Sequence, residues 1–121
     1  MARHNILGKQ GEDEAVVFLE KSGYNVLERN WKYNGIEIDI VATNKDFLVF
    51  IEVKTRSSLN WGTPEDSVNA QRIKRMVTAA DYYVQENNYD LPVRFDIISI
   101  LSKGNNFEIK HIDDAFWPTL D

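Results

Sequence analysis

From Phe47 to Val53 the chain reads Phe-Leu-Val-Phe-Ile-Glu-Val, an apolar run broken only by Glu52. A run of this kind is the signature of a strand covered on both faces, which commits the chain to a layered fold with something packed above and below. A glutamate inside it needs a partner or a purpose, because a carboxylate taken out of water uncompensated is costly. The segment before it, from Gly35, also reads as a strand, with Ile36, Ile38 and Ile40 alternating with Glu37, Asp39 and Val41. A period of two predicts Glu37 and Asp39 on one face and the three isoleucines on the other. In the later run the same period sets Val49, Ile51 and Val53 against Leu48, Phe50, Glu52, Lys54 and Arg56. Thr43 to Asp46 is a polar turn between the two runs. If they pair as a hairpin, Asp39 and Glu52 approach each other across strands only ~5 Å apart, with Lys54 beside them.

Two carboxylates placed this way repel and want a counter-charge. Lys54 supplies part of it, and a divalent metal supplies more. Two hard oxygen ligands suit Mg²⁺, which takes few protein ligands and keeps several waters. A lysine two residues along on the same strand face can orient or help deprotonate an attacking water, while the cation polarises a phosphate. The plainer reading of the same residues is an exposed sheet face laced with cross-strand ion pairs, each worth roughly 0.2–1 kcal/mol.

At 121 residues the chain is expected to form one domain, 1–121, around a single core. With 43% hydrophobic and 27% charged residues it has the composition of a soluble globular protein. No signal-peptide pattern and no apolar run near ~20 residues is present, so neither secretion nor a membrane span is expected. The absence of cysteine excludes disulfides and thiolate metal sites and fits a reducing cytoplasm. A net charge of −5 argues against strong non-specific binding to nucleic acid, which draws on Lys and Arg, though not against a local basic patch.

Taken in order, Ile6 to Ser22 reads as a helix stopped by Gly23, with Gly8, Gly11, Ala15, Leu19 and Ser22 forming a small-residue stripe for close approach to a sheet. Glu12 falls beside that stripe, where a solvated helix glutamate is the plain alternative to a functional acid. A strand follows from Tyr24 to Tyr33, and Asn34-Gly35 is a strong signal for a tight hairpin turn, so three strands in an antiparallel meander are expected. Ser57 to Thr63 is a polar loop containing Trp61. A second helix begins with a cap at Thr63-Pro64 or at Asn69 and runs to about Asn87, its apolar stripe being Ile73, Met76, Val77, Ala80, Tyr83 and Val84. Strands Val93–Leu101 and Phe107–Ile112 follow a Leu91-Pro92 break, and Trp117 is expected to pin the tail to the body. The helix, three strands, helix, two strands so obtained define an α/β fold with a mixed central sheet of about five strands and helices packed on it. If the strands flanking the second helix are parallel, that connection should be a right-handed crossover.

Gly11-Glu12 at the first helix, Glu37-Ile38-Asp39 and Glu52-Val53-Lys54-Thr55-Arg56 on successive strands, Gly62-Thr63-Pro64, Tyr82-Tyr83, Arg94-Phe95-Asp96 and His111-Ile112 together resemble the YraN-like family. These bacterial proteins are described as predicted endonucleases, distantly similar to archaeal Holliday-junction resolvases. The resemblance spans nearly the whole chain and implies a restriction-endonuclease-like fold. It makes Asp39 and Glu52 ligands of Mg²⁺ or Mn²⁺ together with the main-chain carbonyl of Val53, Lys54 the catalytic lysine, and Glu12 an additional acid near the metal. Two positions depart from the family's usual form: Ile36 stands directly before Glu37 where a glycine is common, and Arg72 stands where the second helix often has lysine.

Arg56, Arg72, Lys74 and Arg75 are candidates for a phosphate track, with a solvated helix face as the alternative. Trp61 is a candidate for stacking on a base or wedging a junction. Tyr82, Tyr83 and Trp31 read as packing residues, and His4 and His111 lack the spacing of a metal site. The expected function is metal-dependent hydrolysis of DNA phosphodiester bonds, in branched or single-stranded DNA. The alternatives are a nucleic-acid-binding module that cleaves nothing, or a structural adaptor. A cytoplasmic location without membrane association is expected, and a homodimer is left open.

Overall fold

The computed structural model describes residues 3–57 and 69–116. Helix α1 (Arg3–Lys21) is followed by strands β1 (Asn25–Tyr33), β2 (Ile36–Thr43) and β3 (Leu48–Arg56). Helix α2 (Ala70–Asn87) and strands β4 (Val93–Lys103) and β5 (Asn106–Ile112) complete the order. The five strands form one sheet in sequential order, antiparallel throughout except for parallel β3 and β4. The expected α/β class, element order and mixed sheet are therefore present. Among the described residues, no helix is long and apolar enough to cross a membrane.

The helices cover opposite faces of the sheet. On one, Ala15 and Leu19 of α1 pack against Ile40, Ala42, Val49, Ile51, Ile98 and Ile100. On the other, Met76, Ala79, Ala80 and Tyr83 of α2 pack against Ile38, Val41, Leu48, Phe50 and Phe95. Strand β3 is thus sandwiched, and Leu48 to Ile51 are all fully buried, as the apolar run requires. The close approach of α1 depends on Gly11: a Cβ there would lie 2.8 Å from Thr55 Cγ2 and 2.9 Å from Thr55 Cβ, with Thr55 Oγ1 nearer still. Of the small-residue stripe, Gly11, Ala15 and Leu19 are buried; Gly8 has open space around it and Ser22 is exposed. Gly23 ends the helix at φ +91°, and the Asn34-Gly35 turn takes positive φ at both residues (52° and 80°), as a two-residue hairpin demands.

Asn69 caps α2, its side chain accepting from the Arg72 N–H at 2.9 Å. The other candidate cap, Thr63-Pro64, lies outside the described residues, as do Trp61 and Trp117. Among the described residues, Phe116 stacks on Phe95 at 5.3 Å, and the Ala115 N–H donates to the Phe95 carbonyl at 2.8 Å.

The sheet opens into a fork. The β1–β2 ladder continues to Tyr33↔Ile36 and the β3–β4 ladder to Arg56↔Leu101. The β2–β3 ladder runs only from Thr43↔Leu48 to Ile40↔Ile51. Beyond that point β2 stays with β1 and β3 with β4. The next register positions on the two prongs are Asp39 and Glu52.

One expectation from periodicity fails here. Ile36 and Ile38 pack on the α2 side of the sheet whereas Ile40 and Ala42 pack on the α1 side, so the three isoleucines do not share a face. The alternation steps at Asp39, opposite a stretch of β1 in which Asn30 adopts a left-handed conformation (φ 53°). The physical consequence is that Asp39 belongs to neither packed layer and is directed into the fork.

Candidate functional site

Where two strands part, backbone groups lose their ladder partners and must find others. At this fork two polar side chains meet that need. Asp39 Oδ2 accepts the Val53 N–H at 2.8 Å. Arg72, reaching in from the first turn of α2, donates from Nη2 to the Glu37 carbonyl at 2.8 Å, and so ties down the β2 prong. The same guanidinium grips Glu52 on the β3 prong, with Nε 2.9 Å from Oε2 and Nη2 3.0 Å from Oε1. Lys54 Nζ stands 3.9 Å from Glu52 Oε2. Of the two cations, Arg72 is therefore the principal counter-charge of Glu52, the role that charge spacing along β3 gives to Lys54.

Asp39 and Glu52 also hydrogen-bond to each other, and their titrations are pushed apart. Burial, the Glu52 charge and the shared hydrogen bond raise the Asp39 pKa to about 8, opposed by the Val53 N–H; the charge of Glu12 adds to the rise. Glu52 moves the other way. Burial works to raise it, but hydrogen bonds from Arg72 and Asp39, with the Arg72 and Lys54 charges, outweigh burial and hold it below the ordinary glutamate value. At neutral pH the pair thus shares one proton, with the negative charge residing on Glu52.

Glu12 approaches from the α1 side. It accepts from Asn30 Nδ2 at 2.9 Å and lies 3.5 Å from Arg29 Nη2, which binds Asp13 more closely at 2.7 Å. The Gly11–Thr55 contact fixes how near this turn of α1 comes to the sheet. Val53 turns its N–H to the fork, and a strand residue presents N–H and C=O to the same side, so its carbonyl faces the fork as well. An open cleft of about 280 Å³ adjoins the pair on the α2 side, lined by Glu52, Lys54, Asn69, Gln71, Arg72 and Arg75. Of the candidate phosphate contacts, Arg72 and Arg75 line this cleft. Lys74 is exposed outside it, and Arg56 ends β3 two residues beyond Lys54.

Does this donor set fit a divalent cation? Among the described residues no group of three or more His, Cys, Asp or Glu side chains converges closely enough to hold a metal. What converges is a pair of carboxylates, with a main-chain carbonyl alongside. That suits a hard cation that keeps most of its waters and needs few protein ligands. The donor chemistry fits, with the Arg72 grip on both Glu52 oxygens as a competitor.

A second buried acid went unread in the sequence. Asp96 is fully buried on β4 and is satisfied by Arg94 (2.9 and 2.8 Å), His111 Nε2 (2.7 Å) and the Asp114 N–H (3.0 Å). Arg94 in turn donates to the Tyr24 hydroxyl at 2.6 Å and lies over the Phe47 ring at 4.9 Å. The signal was available: Asp96 interrupts an apolar run just as Glu52 does, with an arginine two residues earlier on the same strand face.

Residues 11–100 match the profile of a family described as "Uncharacterised protein family UPF0102". A UPF0102 protein of Bacteroides fragilis is 49% identical over 120 residues, covering 99% of each chain. One from Parabacteroides distasonis is 50% identical over 117 residues, covering 97% of each, and one from Flavobacterium psychrophilum is 49% identical over 117 residues, covering 97% and 98%.

Proposed function

The chain belongs to the uncharacterised family UPF0102, in keeping with its YraN-like resemblance, and we propose that it is a metal-dependent endonuclease acting on branched or single-stranded DNA. The observation that carries this reading is the Asp39–Glu52 carboxylate pair, Glu52 buried and Asp39 half-buried, at the mouth of a fork with a cationic cleft on its open side. Holding two carboxylates together out of water is unfavourable, and a site built only for stability has no need of the second one. When bound, a divalent cation would neutralise the pair and polarise a phosphodiester. Asp39, Glu52 and the Val53 carbonyl would hold it. Lys54 Nζ, on the same strand face as Glu52, would orient the attacking water by hydrogen bonding to it. Lys54, Arg72 and Arg75 would receive the negative phosphates in the cleft.

A second reading has one observation in its favour. The two-pronged Arg72 grip on Glu52 is also what a structural ion pair looks like, which suits a module that binds nucleic acid without cutting it. Incubation with branched and single-stranded DNA in Mg²⁺ or Mn²⁺ separates the two. Cleavage by the wild type that disappears in both Asp39→Asn and Glu52→Gln is the expected result. Absence of cleavage across these substrates in either metal would put the non-cleaving module ahead.

A further inference from the structure

Arg72 is bound too well for a residue whose task is to meet a phosphate. Its three hydrogen bonds, to Glu52 Oε2, Glu52 Oε1 and the Glu37 carbonyl, all lie between 2.8 and 3.0 Å and all point into the fork. Its backbone is fixed at the first turn of α2, because its N–H is the group that the Asn69 cap receives. The side chain nevertheless borders the open cleft, with 27% of its surface exposed against 6% for Glu52. It can therefore leave the fork by rotating about its own side-chain bonds, with no movement of the helix.

Resting on the reading of Asp39 and Glu52 as a cation site, we propose that Arg72 is a latch. Its guanidinium occupies the Glu52 oxygens that the cation needs, releases them when the cation enters, and turns into the cleft to bind the substrate phosphodiester. Charge is the driving reason. Glu52 already faces two cations, Arg72 at 2.9 Å and Lys54 at 3.9 Å. A divalent cation added without displacing Arg72 would crowd three positive groups around one site. Arg72 released into a cleft already lined by Lys54 and Arg75 in turn demands an anion, and the phosphodiester supplies it. Metal and substrate affinities are then coupled, and by linkage each raises the other by the same factor. The latch makes the resting site a poor metal binder until nucleic acid arrives.

A residue that only contacts phosphate would leave metal affinity unchanged when removed, and a structural ion pair would lower it by loosening the fork. The latch predicts the opposite sign. Mn²⁺ binding, followed by titration calorimetry and by the paramagnetic resonance of free Mn²⁺, is expected to be about tenfold tighter in Arg72→Met than in wild type, the scale of one charge-assisted hydrogen bond no longer surrendered. A single-stranded phosphorothioate oligonucleotide should tighten Mn²⁺ binding to the wild type and have no such effect on Arg72→Met. Should Arg72→Met fail to fold, Arg72→Lys decides. It keeps the charge but gives up the two-pronged grip, and a gain of about threefold is expected, part of that same hydrogen-bond contribution. Equal or weaker Mn²⁺ binding in a folded variant overturns the latch and leaves the cation site standing. If neither wild type nor variant takes up Mn²⁺, with or without the oligonucleotide, the cation site itself is wrong and the latch falls with it.

Discussion

Asp39 has its carboxylate in the plane of the sheet, where it meets the Val53 N–H, the Glu52 side chain and the field of Glu12 together. Its pKa of about 8 in the fold, against 3.8 in the unfolded chain, fixes a sign. Between those values the native state holds a proton that the unfolded state has lost, so the contribution of Asp39 to metal-free stability is complete below pH 3.8 and disappears as pH rises through about 8. Asparagine keeps an acceptor for Val53 and a donor for Glu52 but cannot ionise. Asp39→Asn in EDTA is therefore expected to match wild type near pH 4 and to melt higher at pH 8–9, by about 3 °C or more if ~1 kcal/mol is relieved. A variant less stable than wild type at pH 8 would mark Asp39 as a rung of an ion-pair ladder. Lys54 has no grip on Glu52 comparable to that of Arg72, so Lys54→Met should keep the fold and most Mn²⁺ affinity. Single-turnover cleavage should slow by about two orders of magnitude, the low end of acid–base assistance. Equal rates in the two proteins would remove Lys54 from the chemistry.

At the scale of elements, the site is made by how closely α1 and α2 come to a sheet that divides beneath them. On the α1 side the closest approach is Gly11 on Thr55. Gly11→Ala should cost about 1–3 kcal/mol by overpacking, despite the better helix propensity of alanine, and should shift Glu12 relative to Asp39. Thr55→Ala removes the two nearest atoms but leaves the Cβ contact at 2.9 Å, so the double variant should recover only part of the loss by thermal melting. Full additivity of the two single changes would show that the contact is not the cause. On β4, in register with Ile51, Asp96 joins that strand to β5, to the chain after β5 and, through Arg94, to Tyr24 at the α1–β1 corner. Burial alone would raise its pKa, but hydrogen bonds from His111, Arg94 and the Asp114 N–H hold it below 3.8. Its stabilisation is therefore present above that value and lost as pH falls through the lower folded one. Asp96→Asn leaves the Arg94 guanidinium, 10% exposed, without its counter-charge and is expected to cost about 3–5 kcal/mol in denaturant melts at pH 7, with a smaller deficit in acid. A loss below 1 kcal/mol at pH 7 would mean that Tyr24 and Phe47 carry Arg94 by themselves.

Over the whole molecule the charge is −5, yet Lys54, Arg72 and Arg75 gather on one cleft. Association with linear duplex DNA should be weak. Binding to single strands should fall with salt at a log–log slope of about −2, the value for three phosphate contacts at ~0.7 each. Tight or salt-insensitive binding to linear duplex would contradict a contact area this small.

What could be read without the structure, and what could not, follows from the range of the forces involved. Periodicity and turn chemistry are local, so the order of helices and strands, the Asn34-Gly35 hairpin, the Gly23 stop and the double burial of Leu48–Ile51 within the Phe47–Val53 run were legible from residue types and spacing. So was the approach of Asp39 to Glu52, because hairpin register follows from the length of the connection between the strands. The fork was not legible. It arises because β2 follows the twist of β1 while β3 follows β4, and nothing within either strand records that the two partners diverge. The step that turns Asp39 out of its predicted face belongs to that divergence. The Arg72 grip on Glu52 and the Arg94–Asp96–His111 cluster join residues from separate elements, and charge spacing along one strand or helix cannot rank such partners. Residue types and spacing marked Asp39 and Glu52 as charges set among apolar residues; which opposite charges reach them was decided only when two helices closed on a dividing sheet, because only packing sets distances between elements.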